Sequence, residues 1–213
     1  NNRIDKGRQG MEGTMKSAKY AGDFATPEQQ VGAFNMDTPW ETCMTIATQW
    51  AWKANDKIKS KKECIQTLLQ TVGGDGNLLF NVGPMADGRI EKRQIDRLKE
   101  IGDWLNVNGD AVYGTRGGPY LPTDYMISTR KENKIFLHLL NPQKNKIILP
   151  FPKDLKIGKA YFLQDNQEVE IDKNKTTITI NLPDNSPDEV ASVIVLELNK
   201  SAMTIPPIPR MNY

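Results

Sequence analysis

Residues 60–84 read SKKECIQTLLQTVGGDGNLLFNVGP, and this stretch decides the fold class. Ser60 and Glu63 match a capping box, and apolar residues then recur at helical spacing until Gly73 and Gly74, which predicts a helix that ends there. The run NLLFNVGP (77–84) is short and almost unbrokenly apolar, which is typical of a strand buried on both faces of a parallel sheet. A helix followed at once by such a strand is one repeat of an α/β architecture.

The chain changes character after this repeat. EKRQIDRLKEIGDWLNVNG (91–109) predicts a second amphipathic helix, with Ile95, Leu98, Ile101 and Leu105 on one face. From residue 117, strand-like runs such as TTITINL (176–182) alternate with Asn, Asp, Pro and Lys turns, which predicts an antiparallel β-sandwich. We therefore predict an α/β domain over 1–116, a β-sandwich over 117–199 and an extended surface tail over 200–213.

The α/β part is too small to stand as a complete sheet. A single repeat cannot close a barrel or bury both faces of a parallel strand. The first ten residues, NNRIDKGRQG, contain neither an initiator Met nor the apolar core of a signal peptide. We therefore expect the rest of the sheet to lie on an amino-terminal portion outside this sequence.

Composition argues against several classes of function. The net charge is only +2, and the densest basic cluster, KANDKIKSKKE (53–63), also carries Asp56 and Glu63, so no nucleic-acid-binding stripe is predicted. No run of 18 apolar residues occurs, so no membrane span is expected. One histidine and two distant cysteines give no metal spacing, and no phosphate-loop or dinucleotide motif occurs, so neither metal nor cofactor is predicted. His138, within IFLHLL, is expected to be packed in a strand, and Cys64 to be a buried thiol.

The segment GDFATPEQQVG (22–32) allows two interpretations. In the first, Thr26 is a helix N-cap, Pro27 takes the first helical position, and Gln29 closes a capping box. In the second, Glu28 is a proton donor at the rim of an active site. This role requires that no helix start at Pro27 and point at Glu28, because a helix N-terminus lowers a carboxyl pKa. The eleven residues alone favour the capping interpretation.

The stretch DTPWETCMTIATQWAWKAND (37–56) favours a sugar site, since it places Trp40, Trp50 and Trp52 close to Glu41. A sugar offers apolar C–H faces to aromatic rings and hydroxyls to carboxylates, so Trp40, Trp50 and Glu41 are predicted to bind substrate. Burial in the core is an equal alternative for any one of these tryptophans. Asn81, at the carboxyl end of the predicted strand, could donate a hydrogen bond to a ligand or to a neighbouring loop, or only shape its own loop.

Three blocks, PWETCMTI…QWAW, LLQTVGGDGNLLFNVGPMADGRI and RLKEIGDWLNVNGDAVYGTR, resemble in order and spacing the α-L-fucosidases of glycoside hydrolase family 29. The likeness is nearly continuous from Asn1 to Arg116 and weaker over the sandwich. It implies that residues 1–116 form the second half of a (β/α)8-like TIM barrel and that a C-terminal antiparallel β-sandwich follows.

The resemblance also implies an activity, the retaining, exo-acting hydrolysis of terminal α-L-fucosides by double displacement. Glu28 matches the general acid/base, Arg3 an arginine that contacts the sugar, and Trp50 an aromatic against the fucose C5 methyl group. The nucleophile, an aspartate, would lie upstream of this sequence. The implied partners are a fucosylated glycan substrate and the missing barrel half, without cofactor, and the implied location is periplasmic or secreted. The alternative is a non-catalytic fucose-binding protein with a degenerate barrel; the oligomeric state stays open.

Overall fold

The computed structural model describes residues 23–141, 145–183 and 187–209. The chain divides into two compact units, the first ending at Leu105 and the second beginning at Asn106. This division falls before the predicted limit at residue 116. The turn Gly109–Ala111 belongs to the second unit, because Ala111 is buried and its carbonyl accepts a hydrogen bond from Thr129 Oγ1 at 2.6 Å. In the described part of the chain, no helix has the length and apolar character needed to cross a membrane.

The first unit is built on parallel strands. Its elements in chain order are β1 (Glu41–Thr45), α1 (Lys61–Gly73), β2 (Asn77–Asn81) and α2 (Lys92–Asn108). β1 and β2 pair in parallel, with Glu41 opposite Asn77 and Thr45 opposite Asn81. Because α1 connects two parallel neighbours, this arrangement is a βαβ unit and confirms the α/β prediction for residues 60–84.

The start of α1 follows the predicted capping box. Ser60 Oγ accepts from the backbone N–H of Glu63 at 3.1 Å, and Glu63 Oε2 accepts from the Ser60 N–H at 2.7 Å. These hydrogen bonds to Ser60 lower the pKa of Glu63. Further along, Cys64 is buried as a free thiol, as predicted, and burial raises its pKa to about 11.

β2 differs from its prediction. Its apolar run predicts burial on both faces, but Leu79 is 44% exposed. Phe80, on the opposite face, packs against the cluster of Ile46, Ala47 and Cys64. The prediction is wrong for one face, because the described elements of this unit cover only the face that meets the helices.

The apolar face predicted for α2 is also wrong in part. Ile95 and Leu98 are 38% and 40% exposed, whereas Gln94 and Trp104 are buried. Gln94 can be buried because its amide is satisfied on both sides: Oε1 accepts from the Gly83 N–H at 3.1 Å, and Nε2 donates to the Gly83 carbonyl at 3.3 Å. The polar residue Gln94 therefore attaches this face of α2 to the backbone that follows β2.

The second unit is a two-sheet antiparallel β-sandwich, which confirms that prediction. Its strands are β3 (Arg116–Gly117), β4 (Met126–Lys131), β5 (Lys134–Leu139), β6 (Lys146–Pro150), β7 (Ile157–Phe162), β8 (Ile171–Lys173), β9 (Thr177–Asn181) and β10 (Ser192–Leu198). One sheet has the order β3-β4-β5-β10-β7 and the other the order β6-β9-β8. Both sheets contribute to one core that includes Leu137, Ile180 and Ile194.

The tail does not lie extended over the surface as predicted. A short 3-10 turn spans Ala202–Thr204, and Ala202 and Ile205 are buried in the sandwich core. The buried guanidinium of Arg130 donates to the carbonyl of Ala202 at 3.1 Å and also to that of Ile205. A buried cation requires such acceptors, and the tail supplies them, which holds this segment against the sandwich.

Candidate active site

The segment around Glu28 is extended. Ala25 forms a parallel bridge to Trp40, and Glu28 forms one to Cys43. The Cys43 N–H donates to the Pro27 carbonyl at 3.0 Å, and the Gln29 N–H donates to the Cys43 carbonyl at 2.9 Å. The capping interpretation is therefore wrong: no helix begins at Pro27, and the segment adds a third parallel chain beside β1 and β2.

Glu28 lies on the sheet face that points away from the helices. Residues opposite each other in neighbouring strands share a face, so Glu28, Cys43 and Leu79 project to the same side. Glu28 is half-buried, and its Oε2 atom is shielded from solvent. Glu28 thus lies at the carboxyl end of its own extended segment, level with the middle of β1 and β2, on the face without the helices.

The residue after Glu28 makes a sharp change of direction. Gln29 has φ +58°, a left-handed conformation. Its Nε2 lies 3.2 Å from Thr45 Oγ1, and its Oε1 accepts from the Thr45 N–H at 3.4 Å. The amide therefore spans from the Glu28 segment to the last residue of β1.

The tryptophan loop, residues 48–56, follows β1 and is closed at its base by Asp56. Thr48 donates to the buried Asp56 carboxylate through its hydroxyl at 2.6 Å and its N–H at 3.2 Å. The hydrogen bond from the Thr48 hydroxyl is the main reason that the pKa of Asp56 is lowered. Arg93 donates to the Asp56 backbone carbonyl at 2.9 Å, so α2 also holds the base of the loop.

The loop is fixed to β2 and to the segment that follows β2. The side-chain amide of Asn81 donates to the Trp50 carbonyl at 2.9 Å. The indole N–H of Trp52 donates to Glu91 Oε2 at 3.0 Å. Arg93 binds the other oxygen of Glu91, and this hydrogen bond is the main cause of the lowered pKa of Glu91. Trp50 itself stays 37% exposed, so an indole on a fixed backbone is available to a ligand.

Gly83 allows the two loops to approach closely. A Cβ atom at this position would lie 2.5 Å from the backbone nitrogen of Trp52 and 2.9 Å from the carbonyl carbon of Ala51. Only glycine permits this contact without movement of the backbone. The close approach brings the tryptophan loop beside the end of β2.

Trp40, predicted to bind substrate, is a core residue, and that prediction is wrong. It is 1% exposed and packs with Ala25, and its indole N–H donates to the Gly74 carbonyl at 3.3 Å. The absence of a side chain at Gly76 leaves room for the ring, because a Cβ there would lie 2.4 Å from the indole. The aromatic ring thus fills the space between β1 and the turn after α1.

The remaining predicted site residues have different outcomes. Glu41 is half-buried and belongs to the same face as Glu28, about 7 Å nearer the amino end of the sheet, and its binding role stays a prediction. Arg3 lies outside the described residues. Gln29 and Thr45, which contact each other beside Glu28, were not predicted from the sequence as site residues, although Gln29 was already visible as the supposed capping residue. Among the described residues no group of three or more His, Cys, Asp or Glu side chains could hold a metal ion.

The sequence of this chain matches a known protein family. A family model described as alpha-L-fucosidase matches residues 2–110. The chain belongs to the α-L-fucosidase family. The match covers both tryptophans of the loop, Glu28 and the parallel strands, and it ends before the strands of the sandwich.

Relatives within the family extend the likeness beyond the matched region. Human plasma alpha-L-fucosidase is 30% identical over 151 residues, which make up 66% of this chain and 32% of that protein. Alpha-L-fucosidase isoenzyme 1 from Paenibacillus thiaminolyticus superposes with a TM-score of 0.77 at 32% identity, over 85% of this chain and 46% of that one. The chain therefore spans less than half the length of these fucosidases.

A third relative carries mechanistic information. It is a family 29 α-L-fucosidase from Bacteroides thetaiotaomicron, described as a trapped covalent intermediate in complex with 2-fluoro-fucosyl fluoride in a glutamate-to-glutamine variant. It superposes with a TM-score of 0.75 at 25% identity, over 84% of this chain and 44% of that one.

Proposed function

We propose that this chain is the carboxyl-terminal part of a retaining, exo-acting α-L-fucosidase, comprising the second half of a (β/α)8-like barrel and the β-sandwich. The family match supports the activity. The observation that carries the proposal is the placement of Glu28. Its half-buried carboxyl lies at the carboxyl end of the extended segment beside β1, on the sheet face without the helices, and barrel enzymes carry out catalysis at the carboxyl ends of their strands.

In the proposed reaction, Glu28 acts twice. An aspartate outside this sequence attacks the anomeric carbon while Glu28 donates a proton to the departing oxygen, which leaves a covalent fucosyl-enzyme. Glu28 then takes a proton from the water that attacks the anomeric carbon and releases fucose. The covalent intermediate captured in the Bacteroides relative supports this two-step route.

Trp50 and Arg3 are proposed to recognise the sugar. The exposed indole of Trp50 offers an apolar surface to the C5 methyl group of fucose. A sugar with a hydroxymethyl group at that position would lose a hydrogen bond against this wall, at a cost of about 1–3 kcal/mol. Arg3 is proposed to contact the sugar or to stabilise the ionised nucleophile.

The test uses Glu28→Gln in the complete enzyme, with two substrates. An aryl fucoside with a strongly activated leaving group needs little protonation, whereas a fucosyl oligosaccharide needs much. We expect kcat/KM to fall by about 10²–10⁴-fold for the oligosaccharide and far less for the aryl fucoside. The exposed Glu170→Gln, in the sandwich, is the matched control and should leave both rates unchanged.

A second measurement separates the acid/base from the nucleophile. Azide should accelerate turnover of the aryl fucoside by the Glu28→Gln enzyme and give a fucosyl azide with the anomeric configuration of the substrate, since no base is needed for azide to attack the intermediate. Equal loss on both substrates, or no loss, would remove Glu28 from this role. Binding of fucosides by the unaltered protein without any turnover would instead favour the fucose-binding alternative.

A further inference from the structure

We propose that Gln29 is a positioning residue that holds Glu28 in place by binding Thr45; the inference rests on the function proposed for Glu28. Gln29 touches the neighbouring strand at two atoms and follows Glu28 directly in the chain.

The backbone at Gln29 adopts a conformation that a non-glycine residue takes only at a cost. A φ of +58° is unfavourable for any residue other than glycine, and it persists only where the surroundings enforce it. Here the surroundings include the Gln29 side chain itself, whose amide reaches the last residue of β1. The change of direction immediately after Glu28 is therefore stabilised by a specific contact.

The contact continues toward the tryptophan loop. The Thr45 hydroxyl donates its single proton to the Ala47 carbonyl at 2.8 Å, and it can then accept from Gln29 Nε2 at 3.2 Å. Thr45 is 1% exposed, so its hydroxyl and N–H are shielded from water on the side of β1, whereas Gln29 is an exposed residue. Gln29, Thr45 and Ala47 thus form a chain of hydrogen bonds from the Glu28 segment to the start of the tryptophan loop.

The backbone on both sides of Glu28 is also held by hydrogen bonds to β1. The backbone groups of Cys43 bind Pro27 and Gln29, and the fully buried Thr42 hydroxyl donates to the Gln30 carbonyl at 2.5 Å. These bonds fix the position of Glu28 along the strand direction of the sheet. The Gln29 side chain adds the tie between this segment and the strand end that carries the tryptophan loop. Loss of that tie should let the Glu28 carboxyl shift relative to Trp50.

The experiment compares Gln29→Gly and Thr45→Val in the complete enzyme. Glycine accepts the left-handed backbone without strain, so Gln29→Gly removes the side chain alone. Valine keeps the shape of Thr45 and removes its hydroxyl. We expect each variant to lower kcat/KM for a fucosyl oligosaccharide by about 10- to 100-fold, with little change for an activated aryl fucoside, because a displaced acid matters only when the leaving group needs a proton.

Two further variants separate positioning from general damage. Thr45→Ser keeps the hydroxyl and should restore the oligosaccharide rate. Asn166→Gly alters another left-handed residue, at φ +60° in the sandwich, and should leave both substrates unaffected.

The outcomes distinguish the two proposals. If Glu28→Gln is selective for the oligosaccharide but Gln29→Gly and Thr45→Val lower both rates equally or change neither, the positioning role is overturned and the acid/base assignment stands. If Glu28→Gln is itself not selective, both proposals fall.

Discussion

The side chain of Asn81, the last residue of β2, donates to the backbone carbonyl of Trp50 at 2.9 Å. Of the roles that the sequence leaves open for Asn81, the structure shows the bond to a neighbouring loop. This single amide ties the tip of the tryptophan loop to the sheet. The exposed indole of Trp50 is thereby presented from a fixed backbone instead of a freely moving one.

Replacement of Asn81 by Ala should therefore weaken substrate binding more than folding. The lost hydrogen bond is worth about 1 kcal/mol to stability. Without this bond the Trp50 backbone should be more mobile, which should raise KM for fucosides in the complete enzyme. Steady-state kinetics would measure this change. Asn77→Ala, at the exposed amino end of the same strand, is the control. An equal rise in KM for both variants would contradict the role of Asn81.

Gly83→Ala should destabilise the protein. The added Cβ would lie 2.5 Å from backbone atoms of the tryptophan loop, and backbone cannot give way as a flexible side chain can. We expect a loss of about 1–3 kcal/mol in the free energy of unfolding, measured by denaturant titration. Gly102→Ala in α2, where a Cβ meets nothing within 4 Å, should instead stabilise by about 0.5–1 kcal/mol. Similar effects at both sites would show that the close approach at Gly83 does not matter.

Replacement of Trp40 should lower the stability of the protein, whereas replacement of Trp50 should weaken substrate binding. Trp40→Ala empties a buried site and should cost about 3–5 kcal/mol in the free energy of unfolding. Trp50→Ala removes a partly exposed ring and should change stability little, while it raises KM for fucosides. Calorimetry and kinetics on the two variants test this division. A stable Trp40→Ala protein with impaired fucose binding would reverse the two assignments.

His138 should make the sandwich sensitive to acid. Its Nε2 lies 2.9 Å from Thr129 Oγ1, and burial lowers its pKa from 6.5 to about 3. The unfolded chain therefore takes up a proton below about pH 6.5 that the folded protein refuses until about pH 3. The free energy of unfolding should fall by about 1.4 kcal/mol per pH unit within this window as the pH decreases, and the His138 contribution is fully present above it.

The variant His138→Asn isolates this effect. Asparagine stays neutral and can still bind the Thr129 hydroxyl. Between pH 7 and pH 5, the unaltered protein should lose about 2 kcal/mol more than the variant, as measured by urea unfolding at each pH. Other titrating groups cancel in this comparison. Parallel pH dependences would show that His138 is not the group responsible.

Local signals in the sequence account for the elements predicted correctly. The capping box and apolar spacing of α1 involve residues three or four positions apart, so both can be recognised in the sequence without knowledge of the fold. The strict alternation in β9 predicts a sandwich strand for the same reason, since this strand buries only every second side chain, Ile178 and Ile180, in the core.

The incorrect predictions arise from contacts between residues that are distant in the sequence. The sequence TPEQ matches a capping box, yet the segment becomes extended because Pro39, Glu41 and Cys43, more than ten residues away, offer it backbone hydrogen bonds. The face of α2 is mispredicted because Gln94 finds two partners at Gly83, which hydropathy cannot register. Trp40 and Trp50 are the same residue type ten positions apart, and only packing separates the buried ring from the exposed one.

Periodicity and ordered motifs are present in the linear chain, so they were enough to predict the α/β repeat, the sandwich and the family. Three features are visible only in the folded chain: Glu28 lies beside a parallel strand, Gln29 binds the end of β1 while Asn81 binds the tryptophan loop, and Trp40 is in the core. Hydrogen bonds and burial between distant residues produce these features, and no local pattern encodes which distant partner a polar group will meet.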